Sequence, residues 1–242
     1  MAEREVFIVA DDAELGRKSA ERFIELARRS VKAAGRFSIA LSGGSTPRHL
    51  YSLLASPGYT ERLPWSEVRL FWGDERCVPP DHADSNFRMA HESLLSKIAI
   101  PGENIHRMVG ELEPEAAAAA YEQQLKNSFG LENGEMPRFD LILLGIGEDG
   151  HTASLFPGSD ALEETQRLVA APYLGNLRTH RLTLTLPVLN HANEVCFLVS
   201  GSAKAAVLRE ILSGSADLPA AKVQPVSGRA TWFITEDAAA EL

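Results

Sequence analysis

Seven short apolar runs punctuate the chain: VFIVA (6–10), RFSIAL (36–41), VRLFWG (68–73), FDLILLG (139–145), RLTLTL (181–186), EVCFLVSG (194–201) and TWFIT (231–235). Runs of this length, rich in Val, Ile, Leu and Phe, predict strands buried on both faces, as in a parallel sheet covered by helices. Between the first two, Leu15, Phe23, Ile24, Leu26, Ala27 and Val31 recur at helical spacing, with Asp12 suited to the N-cap and Gly35 to the left-handed stop. A second helix is predicted from Pro114 through a run of five alanines to Gly130. Two more are predicted from Asn86 to Ile98 and from Ser202 to Leu212. Strand and helix alternate with no long polar linker, so the expectation is one domain over residues 1–242 of α/β class. Its architecture would be three-layer α/β/α around a mostly parallel, doubly wound sheet. Ligands in such folds bind outside the carboxyl ends of the strands, so chemistry is to be sought in loops that directly follow strands.

Composition narrows the partners. With 24 Lys and Arg against 33 Asp and Glu the net charge is −9, which argues against a nucleic-acid partner, although a few local cations can still hold a small anion. No apolar stretch approaches the ~18 residues of a membrane span, and the five-residue run near the N-terminus is too short for a signal peptide. The two cysteines, Cys77 and Cys196, have no CxxC spacing, which excludes a disulfide scaffold and a Cys-rich zinc site and indicates a reducing compartment. The expectation is a cytoplasmic protein without a membrane partner, monomeric or a weak homo-oligomer, acting on a small molecule.

Four loops after strands carry candidate chemistry. After Leu41 comes Ser42-Gly43-Gly44-Ser45-Thr46-Pro47 and then an amphipathic segment. Glycines let backbone N–H groups converge, hydroxyls add donors, and Pro47 suits the first helical position, so this turn reads as an anion cradle. It lacks the GxxxxGK[ST] spacing of a nucleotide P-loop. After VRLFWG comes Asp74-Glu75-Arg76, where two acids and an arginine would fix one another and turn Arg76, whose fork suits phosphate, toward a substrate anion. After FDLILL comes Gly145-Ile146-Gly147-Glu148-Asp149-Gly150-His151. GxGxxG resembles a dinucleotide fingerprint, but the strand lies far down the chain and Pro157 cuts any helix short. His151 in a glycine-rich turn reads instead as a general base, with Asp149 to orient the ring. The N–H groups of this turn, Gly147 and Gly150 among them, would donate to a developing oxyanion. After CFLVSG, Lys204 sits near a helix start and supplies a second cation. Arg181 opens LTLTLP and would lie at the entering end of its strand, which makes it a weaker binding candidate. His82 and His91 flank Asp81 and Asp84 without a convergent ligand spacing, so no metal is expected, and no GxSxG marks a serine nucleophile.

Taken together, SGGSTPRHLY, FWGDERCVPPDHADSNF, LILLGIGEDGHTASLFPG and LTLTLPVLN with FLVSGSAKA resemble the glucosamine-6-phosphate isomerase/6-phosphogluconolactonase family from about Val6 to the C-terminus. The deaminase/isomerase branch shares the glycine turn and DGH, but typically continues IAFNEP where this chain reads TASLFP, and carries an aromatic residue in place of Arg76. Both differences favour the lactonase branch. The resemblance implies a cytosolic, cofactor-independent enzyme of the pentose phosphate pathway that hydrolyses the δ-lactone of 6-phosphogluconate. The expected site then comprises Ser42, Gly43, Gly44, Ser45 and Thr46 on the phosphate, Asp74, Arg76, Arg181 and Lys204 around the substrate, and His151 with Asp149 at the lactone carbonyl.

Overall fold

The computed structural model describes residues 3–175, 177–214 and 217–242. Strand β1 (Glu3–Val9) leads into helix α1 (Asp12–Ala34), whose cap is Asp11, accepting from the Glu14 N–H, and which stops at left-handed Gly35. The cap falls one residue before the aspartate expected from the sequence: it is the Asp11 carboxylate that reaches forward to the Glu14 N–H, the third of the first turn, at 2.8 Å. There follow β2 (Phe37–Leu41), α2 (Ser45–Leu54), β3 (Val68–Trp72), a short β4 (Asp74–Arg76) and α3 (Asn86–Ser93). The helix expected to reach Ile98 ends at Ser93 and gives way to a 3-10 turn over Leu95–Lys97. Next come α4 (Pro114–Phe129), ended by left-handed Gly130, and β5 (Leu141–Leu144). The chain continues through β6 (Val169–Ala170), β7 (Tyr173–Leu174), β8 (Thr179–Leu184), α5 (Leu186–His191), β9 (Glu194–Val199), α6 (Ala205–Ser213) and β10 (Arg229–Thr235).

Six strands form one parallel sheet in the order β1-β10-β9-β5-β2-β3. From β2 the chain steps outward to β3, then returns past β2 to β5 and proceeds the other way through β9 to β10. The winding therefore reverses between β2 and β5. Because such crossovers are right-handed, α1 and α2 lie on one face and α4 and α6 on the other, and α1 packs on α2 as this requires. Every residue of β2, β5 and β9 is buried, which accounts for their uninterrupted apolar runs. Tyr121 of α4 fixes the neighbouring strand: its hydroxyl accepts from the Trp72 N–H at 2.9 Å and donates to the Trp72 carbonyl at 3.2 Å.

Two of the seven runs behave differently. RLTLTL belongs to β8, which is antiparallel to β4, β6 and β7 in a second, small sheet, and α5 begins at the last residue of the run. Leu182, Thr183, Leu184 and Thr185 are all buried, so the Leu/Thr alternation does not mark one buried and one solvated face. VFIVA lies on β1 at the sheet edge, paired only to β10, so Val6, Phe7 and Ile8 remain 40, 44 and 56% exposed. Among the described residues no helix is long and apolar enough to cross a membrane.

One buried ion pair ties α1 to the sheet. Arg22 donates to both oxygens of Glu194, at 2.8 and 2.5 Å, and Thr231 of β10 donates to the same carboxylate at 3.0 Å. Arg22→Met leaves that carboxylate buried without its cation and is expected to cost about 3–5 kcal/mol in urea or thermal unfolding. The double variant Arg22→Met/Glu194→Leu should recover most of the loss; equal destabilisation of both would show that the pair's charge is not what matters.

Candidate active site

The reversal point places three turns side by side, after β2, β5 and β9. The first begins at Ser42, whose backbone N–H and carbonyl are both engaged by the Tyr51 hydroxyl, at 2.9 and 2.8 Å. Tyr51 is fully buried, so α2 holds its own leading turn in place. Gly44 has φ +106°, which glycine alone adopts freely, and it precedes α2 with no side chain capping the helix. The N–H groups of Gly44, Ser45 and Thr46 are consequently left for an external anion. Pro47 is the third helical residue rather than the first, still within the turn where no N–H is needed. Gly43 is required for a different reason: a Cβ there would lie 2.0 Å from Asn86 Oδ1.

On β4, neither Asp74 nor Glu75 forms an ion pair with the Arg76 guanidinium, contrary to expectation. Asp74 faces inward and is buried. Ser154 donates to its Oδ2 at 2.8 Å, and Asn86 Nδ2 contacts its Oδ1 at 3.3 Å. Burial pushes the Asp74 carboxyl up, opposed by the Ser154 hydrogen bond and by the charges of Arg76, His151 and Arg181. Glu75 points the opposite way, as alternation along a strand demands, and accepts from the N–H groups of Arg76, Asn86 and Phe87 and from the Ser85 hydroxyl. It therefore anchors the start of α3. Burial raises this carboxyl as well, against those backbone hydrogen bonds. The Arg76 guanidinium donates to the Asp84 carbonyl and keeps a face on the cleft.

The turn after β5 is built around His151. Asp149 Oδ1 lies 2.6 Å from His151 Nδ1 and accepts from the His151 backbone N–H at 3.1 Å, while the ring stacks on Phe156 with centroids 4.1 Å apart. Burial would raise the Asp149 carboxyl, but these hydrogen bonds and the ring's charge outweigh it and hold it below the usual carboxylate range. An ionised carboxylate only accepts, so Nδ1 carries the proton and Nε2 is left as the basic nitrogen. Gly147 admits this arrangement, since a Cβ there would lie 2.0 Å from Nδ1 and 2.5 Å from Asp149 Oδ1. The Gly147 N–H donates to the His151 carbonyl and the Gly150 N–H to the Gly147 carbonyl, so both expected oxyanion donors are consumed in closing the turn.

These pieces share one cleft of about 300 Å³, lined by Ser42, Gly43, Gly44, Asp74, Arg76, Asn86, Gly147, His151 and Lys204, with Gly145, Ile146 and Ala153. It continues into a space of about 220 Å³ that adds Ser45 and Thr46 and shares Lys204. Lys204 Nζ has only a loose contact to Glu148, at 3.9 Å. Asp149 and Gly150 stand behind His151, outside this lining. Arg181 does not line the cleft either, but it is not at a remote end: because β8 runs antiparallel to β4, Arg181 sits directly opposite Arg76. Residues paired this way project from the same face, so the two guanidiniums are neighbours. Asn86 and Ser154 are the site residues that sequence reasoning missed: Asn86 reads only as the first residue of a helix and Ser154 as part of a turn, and neither gives a sign of its partners. Among the described residues no group of three or more His, Cys, Asp or Glu side chains converges as a metal site would.

The profile of the glucosamine-6-phosphate isomerases/6-phosphogluconolactonase family matches residues 10–232. A protein of Nostoc named 6-phosphogluconolactonase is 41% identical over 242 residues, spanning 98% of both chains. The chain belongs to this family. The structure of the 6-phosphogluconolactonase of Trypanosoma brucei superposes with a TM-score of 0.89 at 29% identity, covering all of both chains. A monomeric glucosamine-6-phosphate deaminase superposes with a TM-score of 0.80 at 23% identity over 98% of this chain and all of its own, a likeness of fold alone.

Gly147→Ala should break the contact that fixes the histidine. In ¹⁵N NMR of labelled imidazoles, the neutral His151 ring of the wild type is expected as the Nδ1–H tautomer, and the alanine variant should lose that preference. A wild-type ring protonated mainly on Nε2 would contradict the assignment.

Proposed function

We propose that this chain hydrolyses 6-phospho-D-glucono-1,5-lactone to 6-phosphogluconate, within the pentose phosphate pathway, with His151 as general base. The observation that carries the reading is the pairing of Asp149 with Nδ1, which leaves Nε2 basic in the same cleft as the uncapped start of α2. The relatives' names support the substrate. The phosphate sits on the turn 42–46 with Lys204 and Arg76 supplying charge; it does not react, and its binding energy places the lactone carbonyl beside His151. Asp74, a fixed acceptor in the wall, takes a hydrogen bond from a sugar hydroxyl.

Nε2 removes a proton from water as the water oxygen bonds to C1, and the carbonyl oxygen becomes negatively charged. The Ile146 N–H, in the part of the turn that lines the cleft, and the nearby cations face that charge. The tetrahedral intermediate then collapses with cleavage of the bond between C1 and the ring oxygen. The imidazolium returns its proton to that oxygen, which becomes the sugar hydroxyl, and the new carboxylic acid ionises in solvent. A lactone is already an activated ester, so base catalysis of modest size suffices.

His151→Ala is expected to lower kcat by ~10²–10⁴-fold with KM within a few-fold, in an assay on fresh lactone corrected for spontaneous hydrolysis. Near-normal turnover in the folded variant would remove His151 from the mechanism. Ammonia release from glucosamine 6-phosphate by the wild type would place the chain in the deaminase branch instead.

Lys204→Ala and Arg76→Ala should weaken binding of 6-phosphogluconate. Each loses a charge-assisted contact worth about 1.5–3 kcal/mol, roughly ten- to a hundred-fold in affinity. Activity on unphosphorylated gluconolactone should change far less. Equal losses on both lactones would mean that these residues serve the chemistry or the fold rather than the phosphate.

A further inference from the structure

Asn86 occupies an unusual place. It is only 2% exposed, yet it lines the cleft, between the anion turn and the acidic wall. Its backbone N–H is held by Glu75 at 2.7 Å, so the start of α3 cannot drift from β4. Nδ2 lies 3.0 Å from the Asp74 carbonyl and 3.3 Å from Asp74 Oδ1. Both of these partners only accept, so the amide must present its nitrogen to Asp74 and its oxygen to Gly43. On the other side Ser154 holds Oδ2, and the Ser154 N–H is itself placed by Thr183 at 3.3 Å. Asp74 is thus gripped at both oxygens by neutral donors. Gly43, where any Cβ would strike Asn86, gives up a side chain to let this happen.

We infer that Asn86 is a positioning residue: it acts through Asp74, fixing the orientation of that carboxylate toward the bound sugar. The inference rests on the reading above that Asp74 accepts from the substrate. A merely structural asparagine would serve equally well whatever stood at position 74. A positioning residue loses its purpose once the carboxylate is gone.

A double-mutant cycle separates the two. Asn86→Ala should lower kcat/KM on the phosphorylated lactone by roughly tenfold or more in the wild-type background, the scale of a hydrogen bond to a charged group. In the Asp74→Ala background, where no side-chain acceptor remains at position 74, it should change kcat/KM by less than about twofold. Equal losses in both backgrounds would overturn the inference, and so would an Asn86→Ala variant with wild-type activity.

Asn86→Asp adds a signature in pH. Asp74 is faced by Arg76 from β4, His151 from the turn after β5, Arg181 from β8 and Tyr51 from α2, and its charge also acts on Glu75 on the other face of β4; all are unchanged in the variant. While protonated, the carboxyl introduced by this substitution can still donate to Asp74, whereas its ionised form repels that carboxylate. The activity of Asn86→Asp relative to wild type should therefore fall as pH rises from 5 to 8, while the ratio for Asn86→Ala stays flat. A flat ratio for both would contradict the clamp.

The same cycle can be run on the Kd for 6-phosphogluconate by calorimetry. Wild-type protein that binds this acid but leaves the lactone untouched would sink the lactonase reading and leave the cycle readable from binding.

Discussion

Two adjacent parallel strands, β2 and β5, have their outgoing connections turned in opposite directions, and the rest of the site depends on that constraint. A turn that leaves β2 toward one face and a turn that leaves β5 toward the other cannot cover the space between them. What fills the gap is decided by the first residues after each strand. After β2 these are small residues ending in an uncapped helix, which leaves backbone donors open. After β5 they form a tight glycine turn that lifts a histidine over the same space. β9, next to β5, brings Lys204 to the third side. β2, β5 and β9 are buried along their whole length and are followed directly by polar turns, so the burial that packs the strands also gathers the chemistry in one place.

Buried charge shapes the fourth side. Carboxylates removed from water are costly unless their oxygens are hydrogen-bonded. Here Asp74 and Glu75 are neighbours on a three-residue strand and point to opposite faces. Glu75 satisfies its cost by collecting the first N–H groups of α3, and in doing so it fixes that helix to β4. Asp74 is satisfied by Ser154 and Asn86, one from the turn that follows His151 and one from α3. The wall of the cleft is therefore a small polar network joining β4, β8, α3 and the turn after β5. Its members are placed by one another more than by the main sheet.

Much of this was legible in the sequence. The strands β2, β3, β5, β9 and β10 announced themselves as apolar runs, and the loops after the first four carried the Gly, His, Asp, Arg and Lys residues that now line or flank one cleft. Local signals sufficed because each such loop is fixed to the end of a long-range element whose period is strong. The second sheet was not legible, since β4 is only three residues long and β8 pairs with it across about a hundred residues of chain. The position of Arg181 beside Arg76 follows from that pairing and from nothing local. Gly43 illustrates a finer limit. It reads as freedom of the backbone, but it is needed for the space that Asn86 occupies, a long-range contact that no spacing rule reveals. The exposed apolar centre of β1 was likewise hidden, because a run of five apolar residues looks the same at the edge of a sheet as at its middle.

The most direct test is a crystal structure of the protein with 6-phosphogluconate. If the turn 42–46 is the anchor and His151 the base, the phosphate lies against the N–H groups of Gly44, Ser45 and Thr46. The C1 carboxylate then reaches Nε2 of His151 within hydrogen-bonding distance, with a sugar hydroxyl on Asp74. A phosphate lodged between Arg76 and Arg181 away from the turn contradicts the anchor, and a C1 carboxylate turned away from Nε2 contradicts the base.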